Sequence, residues 1–416
     1  MNKASRSLPF DISSYGGYLI CILLLSLIVH LTTDKVSLFF GEAVNAYAPT
    51  VKGIVFLLTV IALLIPIAKD AWRVWRRSSW RDILVPLAVA LGVLVVSMFL
   101  IFQRGPIGLG VDYSLRSESP FVQVSDWQNT RLLMPALSYF LFLRGTWPFY
   151  GFFLALVLTF LAMLYSWNLR HANLSLWEFL SLCTASFVAF QFQAPGYPDI
   201  LVYAFFLLVM LDDFSPASKL SALLLALITY ESSFIIGLVL AWRYLSRKEQ
   251  IIYWLAIGIY GLVWVAVWNF DIVAILSSHN VDGMSGLQWV RQNPGLETLG
   301  VFMGYKALWA VMVWAAVSAF LSGRRGEAGF ILATIGAAVL MTLSAVDTSR
   351  LMGYAFPALL VSVAGLKNSA SSRTGRRMLA LLFAVNLLIP SVYVGLNAGV
   401  KILRGLYGRW IHLLSK

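Results

Sequence analysis

Asp112, Arg131, Asp199, Glu231, Asp347 and Arg350 lie beside or inside long apolar runs. An ionisable group there is costly unless it faces a protein interior or a wet cavity. A carboxylate so placed can take a proton from a hydroxyl, and a guanidinium can hold a phosphate through its planar fork of N–H donors. Asp112 follows the flexible stretch Gly105-Pro106-Ile107-Gly108-Leu109-Gly110 and is the candidate general base; an ordinary solvated loop aspartate fits the same pattern. Asp126 is the fallback base, although Ser125-Asp126-Trp127 could also start a helix. Arg131 opens Leu132-Leu133-Met134-Pro135, where it either binds phosphate or snorkels to headgroups. The turn Pro195-Gly196-Tyr197-Pro198-Asp199 feeds an apolar helix, so Asp199 either caps that helix or lines a cavity rim with Tyr197. Glu231 sits midway along an apolar stretch with no neighbouring base, which favours a cavity-lining role. In Asp347-Thr348-Ser349-Arg350, Arg350 either holds a lipid phosphate with Asp347 orienting it, or makes a surface ion pair of little worth. Lys306, within an apolar run, calls for an acid partner.

Such residues need a scaffold that crosses a bilayer. Hydrophobic residues make up 60% and charged residues 12% of 416 positions, more apolar surface than a soluble core of this length can hide. The expected class is all-α, a polytopic transmembrane bundle of about 11–13 membrane helices. The net charge of +12 does not signal nucleic acid, because the basic residues form short clusters between apolar runs. Cys21 and Cys183 both fall in apolar segments, which excludes a disulfide framework. His30, His171, His279 and His412 lack ligand spacing. No metal is indicated, and the cofactor requirement is unknown, with a divalent metal left open. The apolar stretch from Tyr18 lacks a small-residue cleavage site and reads as a retained first helix.

Orientation follows from the basic loops. Lys69, Arg73, Arg76, Arg77 and Arg81 mark a cytoplasmic loop, as do Arg243/Arg247/Lys248, Arg324/Arg325 and Lys367/Arg373/Arg376/Arg377. The run Leu132–Leu143 spans only ~18 Å at ~1.5 Å per residue, too short to cross, and is expected to lie in the outer interface or re-enter. The run 218–242 satisfies the charge rule at both ends only as a hairpin of two short helices turning around Thr229-Tyr230-Glu231-Ser232-Ser233. The candidate residues then gather at one outer face. The tail 401–416 reads as an interfacial amphipathic helix.

In their order along the chain, these motifs resemble the bacterial GT-C superfamily, multispanning glycosyltransferases that use polyprenyl-phosphate sugars. The resemblance spans roughly 83–366. It rests on Asp112-Tyr113 in the first large outer loop, Arg131-Leu132-Leu133-Met134-Pro135 before a helix, and Tyr197-Pro198-Asp199 entering another. The polar-tipped run Leu220 to Glu231 follows, then Ser349-Arg350-Leu351 with Tyr354 and Pro357. It implies a GT-C core at 83–366, with outer loops 104–146 and 270–298 and juxtamembrane helices in the first of them. Two accessory helices and a basic cytoplasmic loop occupy 1–82, and a last membrane helix and amphipathic tail occupy 367–416. The implied activity is transfer of a sugar from a polyprenyl-phosphate carrier to a glycan or lipid acceptor hydroxyl, outside a bacterial inner membrane. Asp112 would deprotonate the acceptor and Arg350 would face the donor phosphate. Membrane lipids are the other expected partners. Two alternatives stand beside this: an O-antigen-type polymerase or ligase, which Arg291 keeps open, and a transporter or flippase of lipid-linked glycans using Glu231, Lys306 and Asp199.

Overall fold

Long apolar runs fold as helices because a helix satisfies its backbone donors and acceptors within the segment. A computed structural model describes residues 13–30, 43–101, 105–106, 108–122, 131–267, 270, 285–344, 347–369, 373–395 and 399–402. The chain opens with α1 (Ser13–His30), α2 (Ala43–Arg77) and α3 (Trp80–Ile101). Two short helices, α4 (Leu109–Arg116) and α5 (Leu133–Phe140), precede the long α6 (Thr146–His171). Then come α7 (Leu176–Cys183), α8 (Ser186–Gln193), α9 (Asp199–Met210), α10 (Pro216–Thr229), α11 (Ser233–Tyr244) and α12 (Arg247–Val267). The rest comprises α13 (Gly286–Gln292), α14 (Pro294–Tyr305), α15 (Leu308–Leu321), α16 (Arg325–Ser344), α17 (Thr348–Met352), α18 (Phe356–Ser369) and α19 (Arg373–Leu388). The protein is an all-α polytopic bundle.

Six described helices are long and apolar enough to cross a membrane, or seven if one bent pair counts as a span. Shorter apolar helices, α9 to α11 among them, supplement these. The expected total of about 11–13 is reached only when the short helices are counted too. One contiguous core runs from Ile22 to Phe383, so the first helices pack into the same interior as the rest.

The hairpin expected at 218–242 forms as α10, a tip and α11. Tyr230 leaves the helix in extended geometry, at φ −153° and ψ 114°. At the other end, Lys219 Nζ lies 5.6 Å from the Tyr244 ring, so the two legs return to one level. The leg α10, with 14 residues, spans only ~21 Å at ~1.5 Å per residue. The run at 132–143 is likewise a short helix, α5, and not a span.

Three apolar runs do not form single continuous helices. The stretch 175–192 breaks into α7 and α8 at Thr184–Ala185. The stretch 299–321 bends by 76° between α14 and α15. There Lys306 adopts the left-handed region, φ 51°. Its ammonium, expected to meet an acid, instead donates to three neutral oxygens: Thr184 Oγ1 at 3.0 Å, the Ile389 carbonyl at 3.1 Å and Ser391 Oγ at 3.2 Å. The last helix stops at Leu388, before Pro390, and residues Val392–Gly395 (β1) pair antiparallel with Gly399–Ile402 (β2). Alternating β-branched residues, Val392 and Val394 against Val400 and Ile402, suit a strand pair better than a helix. The part of the expected amphipathic tail beyond Ile402 lies outside the described residues.

Contacts tie the basic loops together at one end of the bundle. Asp70 pairs with Arg73 at 3.0 Å and accepts from Ser215 N and Ser218 Oγ, both at 2.7 Å, joining α2 to the start of α10. Arg170 pairs with Asp213, Glu178 with Lys367 at 3.0 Å, and Arg324 with Glu327. Arg243 lies over Phe330 at 4.8 Å. The hairpin tip points to the opposite end.

Candidate functional site

At that opposite end the tip meets Arg131 and the stretch from Arg350 to Tyr354. Arg131, just before α5, donates to both Glu231 oxygens, from Nε at 3.2 Å and from Nη2 at 2.6 Å. Its guanidinium also lies 3.9 Å above the Tyr230 ring centroid. From the other side, Arg350 Nη2 donates to the Tyr230 hydroxyl at 2.9 Å. Tyr230 is thus clasped between two arginines, one on its face and one at its oxygen.

Arg350 sits on α17 between two carboxylates, with Nε 3.8 Å from Asp199 Oδ1 and Nη1 3.2 Å from Asp347 Oδ2. Asp199 Oδ1 accepts from the Tyr354 hydroxyl at 2.9 Å. Asp347 is held from its far side by the Tyr393 hydroxyl. Despite these charge contacts, Arg350 Nε and Nη1 and Asp199 Oδ2 make no aligned hydrogen bond. Burial narrows the alternatives left by sequence. Arg131 and Arg350 are each 4% exposed at the side chain, which excludes snorkelling for the first and a surface pair for the second. Asp199 makes no capping bond. Glu231 has a base after all, one that lies 100 residues away in sequence.

Tyr197 completes the floor, its ring 5.3 Å from the Arg350 guanidinium carbon. It packs edge-on against Tyr113 of α4 and Phe190 of α8. Burial raises the Tyr113 phenol to about 12, with Arg131 opposing. Burial likewise raises Tyr197 and Tyr393. These phenols remain protonated hydrogen-bond donors at neutral pH.

Asp112 occupies the exposed side of α4, while its neighbour Tyr113 turns inward to Tyr197. Two aromatic rings therefore separate the candidate base's helix from Arg350. Asp126 lies outside the described residues. Arg291 is exposed on α13. Among the described residues, no group of three or more His, Cys, Asp or Glu is placed to hold a metal ion.

What docks α4 here is the absence of a side chain at Gly110, where a Cβ would run into the Pro195 carbonyl and lie 3.2 Å from Gly196 Cα. Gly110→Ala is expected to push α4 off the 195–197 turn at a cost of about 1–3 kcal/mol. A fall in the thermal midpoint with α10 and α11 still protected from hydrogen exchange would bear this out; an unchanged midpoint would not.

Sequence reasoning assigned no role to Tyr230 or Tyr393 and named Tyr354 only through the family resemblance. Aromatic residues crowd membrane edges generally, so only their hydrogen bonds to Arg350, Asp347 and Asp199 distinguish these three. Glu297, buried and accepting from Thr348 Oγ1 beside Arg350, was also missed. Chemically, the cluster offers two buried guanidiniums, of which Arg350 has Nε and Nη1 without a hydrogen-bond partner, which suits an anionic oxygen ligand. No protein-family model, no curated protein and no solved structure matches this chain.

Proposed function

We propose that the protein is an integral membrane glycosyltransferase that moves a sugar from a polyprenyl-phosphate carrier to an acceptor hydroxyl. The positive-inside rule puts the basic loops in the cytoplasm, and hence the arginine–carboxylate cluster on the non-cytoplasmic face of a bacterial-type inner membrane. One observation carries the reading. Arg131, Asp199, Glu231 and the Asp347–Arg350 loop converge on Tyr230 at the end away from those loops, with α4 packed against the same turn.

The charge balance says how a phosphate would enter. Two guanidiniums face three carboxylates, so an incoming anion must displace one acid. Asp347 is the most exposed of the three at 24%, against 13% for Glu231 and 0% for Asp199. Its contact with Arg350 is also poorly aligned for a hydrogen bond. Asp347 swings aside, and the donor phosphate takes the freed Nη1 of Arg350. The acceptor, lying over the exposed side of α4, gives its hydroxyl proton to Asp112. Its oxygen bonds to the anomeric carbon as the carbon–oxygen bond to phosphate breaks. The leaving phosphate keeps that electron pair and is stabilised by Arg350 and Arg131.

A second reading has its own support. The 76° break at Lys306 lies beside the α7–α8 break at Thr184, and discontinuous helices of this kind build substrate sites in carriers. A transporter or flippase of lipid-linked glycans would use them.

Asp112→Asn is the test of the base, since Asp112 is exposed and asparagine keeps its shape. The variant is expected to keep the wild-type thermal midpoint while transfer of radiolabelled sugar falls by about 10²–10⁴-fold. Full transfer by this variant removes Asp112 from the mechanism.

A further inference from the structure

The helix α2 does not end where its apolar run ends. It continues for about two more turns, Lys69 to Arg77, before Ser78-Ser79 lead into α3. These turns and the start of α3 carry Lys69, Arg73, Arg76, Arg77 and Arg81, all exposed. The two acids among them are engaged, Asp70 with Ser215, Ser218 and Arg73, and Asp82 with Ser79 N at 2.9 Å and Oγ at 2.8 Å. Among the described residues, Lys69, Arg76, Arg77 and Arg81 form no ion pair. Three exposed tryptophans stand at the same level. Trp72 lies 5.0 Å from the Arg76 guanidinium carbon, and Trp75 meets Trp80 edge-on at 6.4 Å across the turn. Exposed tryptophan beside cations suits a bilayer interface, where the ring sits at headgroup level.

We propose that this elbow between α2 and α3 holds the headgroup of an anionic phospholipid, at the end of the bundle away from the Arg350 cluster. The spacing along α2 carries the inference. Leu58, Ile61, Ile65, Lys69, Trp72 and Arg76 recur every three or four residues and so share one face of the helix. Every one of them is exposed. Toward the turn, that face changes from aliphatic side chains to cations and tryptophan. A phospholipid lying along it presents acyl chain and then phosphate in the same order. The guanidinium forks match phosphate oxygens, and each cation near the surface adds attraction to anionic lipid. A free phosphate would have no use for the aliphatic half of the face. The inference uses none of the residues assigned to sugar transfer and stands whether or not that reading holds.

The experiment is native mass spectrometry of the full chain in neutral detergent, offered equal amounts of phosphatidylglycerol and phosphatidylcholine. Wild type is compared with Arg76→Gln/Arg77→Gln and with Arg247→Gln/Lys248→Gln, which removes the same charge from another exposed basic loop. Wild type is expected to retain phosphatidylglycerol over phosphatidylcholine by at least about tenfold. The elbow variant is expected to lose about tenfold of that preference, and the loop variant to keep it. No preference in wild type, an unchanged preference in the elbow variant, or an equal loss in both variants overturns the site. Inorganic phosphate that displaces phosphatidylglycerol at equal concentration overturns the lipid as its occupant. Should the elbow variant not fold, Lys69→Gln is read in the same way, and retention of phosphatidylglycerol equal to wild type counts against the proposal.

Discussion

Arg350→Met is expected to destabilise the protein by about 3–5 kcal/mol, the usual cost of breaking a buried pair by removing one partner. The loss strands Asp199, which is 0% exposed and, among the described residues, keeps only the Tyr354 hydrogen bond. It also leaves the Tyr230 hydroxyl without its donor and Asp347, among the described residues, with Tyr393 alone. Adding Asp199→Asn to Arg350→Met should recover part of the loss, because the second change removes the charge that the first left exposed to a low-dielectric interior. Thermal midpoints for the two single variants and the double variant measure this. A coupling of about 0.5–3 kcal/mol is the expected range for residues in one network. Strictly additive losses would mean that Arg350 and Asp199 do not share a charge environment.

The second large effect separates stability from chemistry. Glu231→Leu leaves Arg131, 4% exposed, without the carboxylate that takes two of its N–H groups. The expected cost is again about 3–5 kcal/mol. Replacing both partners, Arg131→Met with Glu231→Leu, should return the midpoint to near the wild-type value or above it, since well-packed apolar residues often replace a buried pair without loss. Sugar transfer should not return, because the double variant has lost one of the two guanidiniums assigned to the leaving phosphate. Recovery of both stability and transfer would make the Arg131–Glu231 pair purely structural.

Much of this was legible in the chain because membranes impose coarse rules. Apolar run length and the placement of Lys and Arg gave the all-α class. They also forced the hairpin at 218–242, since Arg243 and Asp212–Lys219 had to lie on one side. Lys219 beside Tyr244 is the contact that matches. Rules about cost then singled out Arg131, Glu231, Asp199 and Arg350, because a charge in an apolar run must be accounted for. What those rules cannot supply is pairing. Glu231 finds Arg131 across 100 residues, and Arg350 finds Tyr230 across 120. Local pattern holds no trace of such separations. The same limit explains Lys306, whose partners proved to be neutral oxygens from Thr184, Ile389 and Ser391. An ammonium needs three acceptors, not necessarily a negative charge. The strand pair after Pro390 was hidden by its valines, which a hydropathy count scores as membrane helix and a β-propensity count scores as strand.

Asp112 shows where residue order and geometry part. Its place in the motif series marks it as the base, yet its helix turns Tyr113 inward and leaves the carboxylate outside. The account therefore requires an acceptor that approaches over α4 and not through the arginine cluster.

The most direct measurement is sugar transfer by the purified wild-type chain in proteoliposomes supplied with radiolabelled polyprenyl-phosphate sugar and a lipid extract. The account predicts a labelled glycolipid or glycan product whose yield collapses in Asp112→Asn. Labelled carrier that changes leaflet with its sugar still attached, and no product from wild type, would contradict it and identify a carrier instead.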